Sequence, residues 1–402
     1  MSDSMWVACP LTAVHASVPA AVHALRPEIP MLCLRPAVAT AEARHFTGTF
    51  PGHVLYAVKC NPDEAILQAL AAGGIRHFDA ASIGEVRLVR SLFPDARIHF
   101  MHPVKARSAI REAYAEHGVR DFAFDRREEL SKIVDETGNA ADLLLVVRLA
   151  LAKGNARLDL SGKFGAGADE AAALLRLASD LGARVGLSFH VGSQCCDPTA
   201  WERALAQADV VVRAAGVPVE VIDVGGGFPV CYPDMQPPPL DEFVAAIRRG
   251  FARMAVSANC ALWCEPGRAL VAASESLVVQ VQARRGDALY INDGVYGSLS
   301  DAGALLHFRY PCRLMPANPR TAQPERAFSL FGPTCDSLDS MQGPFMLPAD
   351  VAEGDWIEIG QLGAYGACLR TAFNGFDNPL RVEVGDEPLC PGLSAVDSSA
   401  AA

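Results

Sequence analysis

From residue 53 onward the chain alternates short apolar runs with amphipathic stretches. The runs cover 53–59, 76–80, 97–101, 121–125, 142–149, 184–191, 219–224 and 261–264. Each has the length of a strand buried on both faces. Between them, 63–72, 84–93, 105–117, 127–137, 169–181, 199–215 and 240–255 carry apolar residues at three- and four-residue spacing, the helical period. Eight such units predict an α/β fold, a TIM-like (β/α)₈ barrel. A doubly wound open sheet is the alternative, and the near-equal units favour closure. After Arg268 the rhythm changes. Runs at 277–282, 288–292, 328–331 and 355–360, separated by Gly/Pro turns, predict a β-rich second domain. Residues 316–325 form a polar, proline-bearing loop. The predicted boundaries are 30–272 for the barrel and 273–386 for the β-domain. From 387 to 402 the chain turns to Pro, Gly, Ser and Ala, the composition of a disordered tail.

Composition narrows the class. With 402 residues, 50% of them hydrophobic, the chain can bury a large core and a smaller domain. A charged fraction of 20% argues against extended disorder. The net charge of -11 is spread without long runs, which makes nucleic acid a poor partner and suits a small cationic ligand. The 12 cysteines show no zinc-type CxxC repeat, so no metal is expected. They suit reduced thiols in a cytoplasmic protein. Residues 1–30 lack the basic and apolar regions of a signal peptide. No apolar stretch is long enough to cross a bilayer.

In a barrel of this kind the chemistry lies at the C-terminal ends of the strands. The first run ends at Lys59, which is either a lysine that snorkels to water or an amine nucleophile facing a cleft. Later runs deliver Asp79, Asp125, Arg148, the His190-Val191-Gly192-Ser193 segment and Asp223 followed by Gly225-Gly226-Gly227. The last ends in Glu265-Pro266-Gly267-Arg268. A triple glycine lets backbone N–H groups approach an anion, and barrels often hold phosphate in the last two loops. Glu265 is either paired structurally or faces a cationic ring nitrogen. His190 is a core histidine, an acid/base or a stacking ring. An amine, a phosphate cradle and a carboxylate for a ring nitrogen match pyridoxal 5'-phosphate (PLP).

Eight segments in order, from about residue 30 to 385, resemble the ornithine decarboxylase family. They are the stretches at 56–61, 78–82, 190–193, 225–229, 265–268, 292–298, Gly332-Pro333-Thr334-Cys335-Asp336 and Gly363-Ala364-Tyr365. These are barrel-type, PLP-dependent decarboxylases of basic amino acids, with an alanine racemase-like barrel. The resemblance implies that Lys59 carries the PLP Schiff base, Glu265 pairs with the pyridine nitrogen and His190 stacks on the ring. It assigns Ser193, Gly227, Gly267, Arg268 and Tyr365 to the phosphate, with Gly226, Asp79 and Arg148 also at the cofactor. Cys335 is similar to the cysteine that reprotonates the carbanion, and Asp336 to the aspartate that binds the distal ammonium. It further implies a homodimer in which the Cys335-Asp336 loop comes from the partner subunit, and a β-domain joined by residues 1–29. The expected reaction is L-ornithine to putrescine and CO₂, in polyamine biosynthesis.

The chain also departs from the family pattern. Ala80 stands where cysteine is common, Gln194 where many relatives have glycine, and Gly366 where threonine is common. The usual Tyr-Asp-His segment is replaced by 299–307, in which Asp301 is the candidate second carboxylate for the substrate amine. The alternatives are lysine, arginine or diaminopimelate decarboxylation, a racemase and a non-catalytic regulatory homologue. Cys335-Asp336-Ser337 argues against diaminopimelate, Glu265 against a racemase, and Lys59 with Cys335 against the inactive form.

Overall fold

Eight parallel strands close on themselves: β1 (His53–Ala57), β2 (His77–Ala80), β3 (Arg97–Phe100), β4 (Asp121–Phe124), β5 (Leu144–Arg148), β6 (Arg184–Ser188), β7 (Val221–Asp223) and β8 (Ala261–Cys264). The seam is the pairing of β8 with both β7 and β1. The computed structural model describes residues 13–152, 156–157, 162–321 and 323–394. Closure removes sheet edges, and it explains why these strands are apolar runs rather than alternating ones. One face of each meets the barrel interior around Leu55, Met101, Ala123, Val146 and Trp263. The other meets the surrounding helices, whose starts and stops follow local rules. Asp63 caps Glu64–Ala72 by accepting from the Ala65 N–H, and Gly216, at φ +65°, ends Thr199–Ala215.

The second domain is a nine-stranded sheet. Its labelled strands are β9 (Glu275–Arg285), β10 (Ala288–Ile291), β11 (Cys312–Met315), β12 (Glu325–Phe331), β13 (Ser340–Pro348), β14 (Trp356–Ile359) and β15 (Leu380–Val384). The N-terminal strand Met31–Leu34 lies between β9 and β15, and Val14–His15 pairs with β15. This corrects the boundary at residue 30, because 31–34 belongs to the sheet and the barrel side begins with the helix Pro36–Thr49. Two buried ionic contacts fasten the domains: Arg35 to Glu358, and Arg381 on β15 to the helix cap Asp63. The stretch from 387 is ordered as far as it is described. Leu393 is buried, and Ser394 donates its hydroxyl to Glu42 at 2.5 Å. Residues 395–402 of the expected tail, and 1–12 of the expected N-terminal contribution, lie outside the described residues.

At the N-terminal end of the barrel three imidazoles from successive strands stack. The His53 and His77 centroids are 4.4 Å apart, and those of His77 and His99 5.2 Å. His99 Nδ1 lies 2.9 Å from Asp121 Oδ2, and Arg97 grips the same carboxylate with two nitrogens. With its Nδ1 proton on Asp121, His99 accepts at Nε2 from His77 Nδ1, 2.9 Å away. Burial, then the neighbouring His99 and His53, push His77 down to about 3. A histidine whose folded pKa lies below its unfolded value favours the fold while neutral. The unfolded chain takes up the proton first, so stability is lost as pH falls from about 6.5 toward about 3. Denaturant unfolding at pH 7 and pH 4 should therefore show wild type losing roughly 2–4 kcal/mol more than His77→Phe. Equal losses would contradict this account.

Candidate active site

The C-terminal ends of the strands converge on one mouth. After β1 the chain makes a single 3₁₀ turn, Val58–Cys60, that lifts Lys59 off the strand. Its side chain is 48% exposed into the mouth, and its Nζ lies 3.0 Å from Oδ2 of Asp79, which is one residue from the end of β2 and 2% exposed. Burial alone would lower the lysine pKa. Asp79, Tyr365 and Glu265 outweigh it and raise the value, so the amine is held as an ammonium. Beside the pair, Ser82 caps the helix Ile83–Leu92, and Glu85 reaches back to the residue before the cap. Ser82 Oγ accepts from Glu85 N–H at 3.2 Å, and Glu85 Oε2 accepts from Ala81 N–H at 2.7 Å. Burial, helped by Asp79, pushes the Glu85 carboxyl up to about 7. The Ser-x-x-Glu spacing of residues 82–85 was the available signal for this residue, and sequence reasoning missed it.

Opposite Lys59, β7 and β8 bring two carboxyl groups together. Asp223 is fully buried and accepts from Gly225 N–H at 2.8 Å through Oδ1, while its Oδ2 is buried without a hydrogen-bond partner among the described residues. Burial pushes Asp223 up to about 6. Burial, then Asp223 and Asp79, raises Glu265 well above the ordinary carboxylate range. Two neighbouring buried carboxyls disfavour each other's ionisation, and this adds to burial in keeping Glu265 protonated. Asp223 was visible at its strand end, but no role was drawn from it. Glu265 keeps one buried oxygen, Oε1, without a hydrogen-bond donor.

His190 is locked by its Nδ1, which accepts from Gly192 N–H at 2.9 Å. Burial, then the charges of Arg148 and Lys59, lowers its pKa well below 6.5, so the ring is neutral. The glycines after β7 are packed against neighbouring backbone, where no side chain fits. A Cβ at Gly226 would sit 2.5 Å from the Glu265 carbonyl oxygen and 3.2 Å from His190 Nε2. Gly227, at φ +101°, would place one 2.2 Å from the Gly192 carbonyl oxygen. Ser193 is partly buried on the adjoining loop, and Arg148 closes β5. Gly267 precedes the short helix Arg268–Val271, packed so that a Cβ would meet that of Cys60 at 3.0 Å. Tyr365, at φ +56°, donates its backbone N–H to Cys60 O at 3.0 Å, which fixes it beside the Lys59 turn.

The structure also explains one departure from the family pattern. Gln194 sits at φ +55°, the region that favours glycine. Its side chain offsets that strain by clasping Val230, accepting from its N–H at 2.9 Å and donating to its carbonyl at 3.0 Å.

Asp301 is buried, and its Oδ2 lies 3.0 Å from Arg268 Nη2. The 3₁₀ turn Ser300–Ala302 folds back onto the end of β8 and brings the carboxylate to the arginine expected to hold phosphate.

Cys335 and Asp336 are not gathered with the others. They lie on the loop after β12, with Cys335 exposed. Cys335 N–H donates to Asn374 Oδ1, and Asp336 accepts from Tyr296 Oη at 2.5 Å and from Leu338 N–H. Asp339 braces the loop by accepting from Val295 N–H and Thr334 Oγ1. None of these partners belongs to the barrel mouth.

The residues at the mouth fit PLP: an amine, a glycine turn whose backbone no side chain covers, a buried arginine, and a Glu265 oxygen lacking a donor. Residues 38–272 match the family model described as "Pyridoxal-dependent decarboxylase, pyridoxal binding domain", and 270–363 match its "C-terminal sheet domain". The ornithine decarboxylase of Panagrellus redivivus is 35% identical over 359 residues, covering 83% of this chain and 80% of the relative. Among solved structures, the arginine decarboxylase of Paramecium bursaria Chlorella virus, bound to agmatine, superposes with a TM-score of 0.79 at 28% identity, covering 90% of this chain and 98% of that one. The lysine/ornithine decarboxylase of Vibrio vulnificus, complexed with putrescine, gives 0.77 at 31% identity, with coverages of 92% and 99%. The matches run through both halves of the molecule, barrel and sheet alike, so the chain belongs to the pyridoxal-dependent decarboxylase family and is a carboxy-lyase that uses PLP.

Proposed function

We propose that the protein decarboxylates L-ornithine to putrescine and CO₂ at a site completed by a second copy of the chain, in the cytoplasm. The observation that supports the reaction type is Glu265, buried just after β8 with Oε1 lacking a donor, at the same strand ends as Lys59. Bound PLP supplies the electron sink that takes the bonding pair as the carboxyl group leaves. Lys59 is the anchoring amine, and Asp79 holds it in place. Glu265 holds the proton at the ring nitrogen. His190, neutral and unable to rotate while Gly192 holds it, presents a flat face. Ser193, Gly226, Gly227, Gly267, Arg268 and Tyr365 take the phosphate, and Arg148 balances the acids between them. Asp336 of the second copy receives the distal ammonium, and Cys335 returns a proton to Cα. All eleven described cysteines are free thiols, which suits a reducing compartment.

The substrate reading rests on the short acid Asp336, which Tyr296 fixes in place. With Asp301 engaged at Arg268, one carboxylate alone marks the distance to the ammonium, and that supports lysine as a second reading. A site that buries an acid for an ammonium discriminates strongly against an apolar tail, and weakly between chain lengths. Product analysis with ornithine, lysine and arginine offered in parallel should return putrescine as the main diamine. Cadaverine would move the assignment to lysine, agmatine to arginine, and no amine product from any of them would reject it.

A further inference from the structure

Arg268 is buried to 4% exposure, and each terminal nitrogen of its guanidinium has a partner. Nη1 donates to Tyr232 Oη at 2.8 Å, and Nη2 donates to Asp301 Oδ2 at 3.0 Å. Its Cζ lies 4.8 Å from the ring centroid of Phe308 and 5.0 Å from that of Tyr365. Nε alone is buried without a partner among the described residues. A buried N–H donor left unpaired is costly, and such atoms call for an explanation. The groups that hold Arg268 are themselves held. Tyr232 is fully buried and exchanges backbone hydrogen bonds with Met235, and Phe308 N–H donates to the Asp301 carbonyl at 2.9 Å. The turn at Asp301 thus delivers both the carboxylate and the aromatic ring to the same guanidinium.

We propose that Asp301 is a positioning residue for Arg268: with Tyr232 it fixes the plane of the guanidinium, so that the arginine meets the cofactor phosphate in one set orientation. This rests on the assignment of Arg268 to the phosphate. Asp301 therefore acts on phosphate recognition through Arg268. It touches neither substrate nor reacting atoms. A guanidinium held by two hydrogen bonds and two rings has little freedom left to lose when an anion binds, which is the benefit of preorganisation.

The test compares two ligands on cofactor-stripped, full-length protein. Dissociation constants are measured for PLP and for pyridoxal, which lacks the phosphate, and the readout is the pyridoxal constant divided by the PLP constant. Asp301→Ala should weaken PLP binding by about 10- to 100-fold, the range for losing a charge-assisted hydrogen bond, and leave pyridoxal within about threefold. Asp301→Asn keeps an acceptor oxygen for Nη2 and should restore the ratio to within about threefold of wild type. Tyr232→Phe, which removes only the hydroxyl, should lower the ratio by itself, and it keeps the proposal testable if Asp301→Ala fails to fold. An unchanged ratio in Asp301→Ala, equal losses of both ligands, or an Asn variant as impaired as Ala would each overturn the proposal. Arg268→Met separates the two layers. If it leaves the ratio intact, the phosphate assignment itself is wrong; if it collapses the ratio while Asp301→Ala does not, only the positioning role falls.

Discussion

Lys59→Ala is expected to lower diamine formation by more than about 1000-fold and to abolish covalent retention of the cofactor, while PLP still binds. The two effects separate because the anchor and the cradle are different parts of the mouth. The glycines after β7, Arg268 and Glu265 all lie outside the Lys59 turn and keep their contacts when the amine is removed. The measurement is mass spectrometry after borohydride reduction, which fixes an amine-linked cofactor to its peptide. Wild type should carry the added mass on the peptide containing Lys59, and the variant none. A variant that kept both the adduct and full activity would remove Lys59 from the chemistry. The ammonium state enforced by Asp79 adds a condition, because an ammonium is not a nucleophile until its proton leaves. Glu85, close to Asp79 and with its carboxyl near 7, is poised to take up a proton at neutral pH.

The barrel was legible because parallel strands buried on both faces announce themselves as apolar runs, and every predicted run contains an observed strand. The sheet domain was less so. β13 carries Gly343 and Pro344 in its middle and has exposed positions, which disguise it as a turn. Met31–Leu34 and β15 become recognisable only through their mutual pairing across most of the chain. The same division holds at the site. Lys59, Asp79, His190, Glu265 and the glycine loop could be placed because one rule, chemistry at the strand ends, collects them on one rim. Asp301 could not, since no local pattern tells which cation a buried acid will face, and its partner Arg268 lies 33 residues away. Glu85 was hidden, and Asp223 was seen without a role, for the opposite reason. Each sits in a sequence that a turn or a helix cap already explains.

Mixing two inactive variants is expected to restore activity. Cys335→Ala should lower diamine formation by about 10²- to 10⁴-fold, the scale of a lost proton donor. Yet within one chain Cys335 is exposed, and its loop contacts Tyr296 and Asn374 rather than the barrel mouth. The loop is firmly braced by Asp339, so it is not placed to swing across to Lys59. Around it, Leu338 is 64% exposed, and Phe373 and Phe376 are 41% and 43% exposed, an apolar surface suited to burial against another copy. If a twofold dimer brings each Cys335 to the other chain's Lys59, a mixed dimer of Lys59→Ala with Cys335→Ala has one site lacking both residues and one site intact. Random reassociation makes half of the dimers mixed, so activity should recover to about a quarter of wild type. The check is diamine formation after the two purified variants are dissociated, mixed and allowed to reassociate, with each variant treated alone as the control. Recovery well above both controls requires a shared site. Activity that stays at the level of the controls, while native mass spectrometry shows mixed dimers present, would return Cys335 to its own chain and end the shared-site reading.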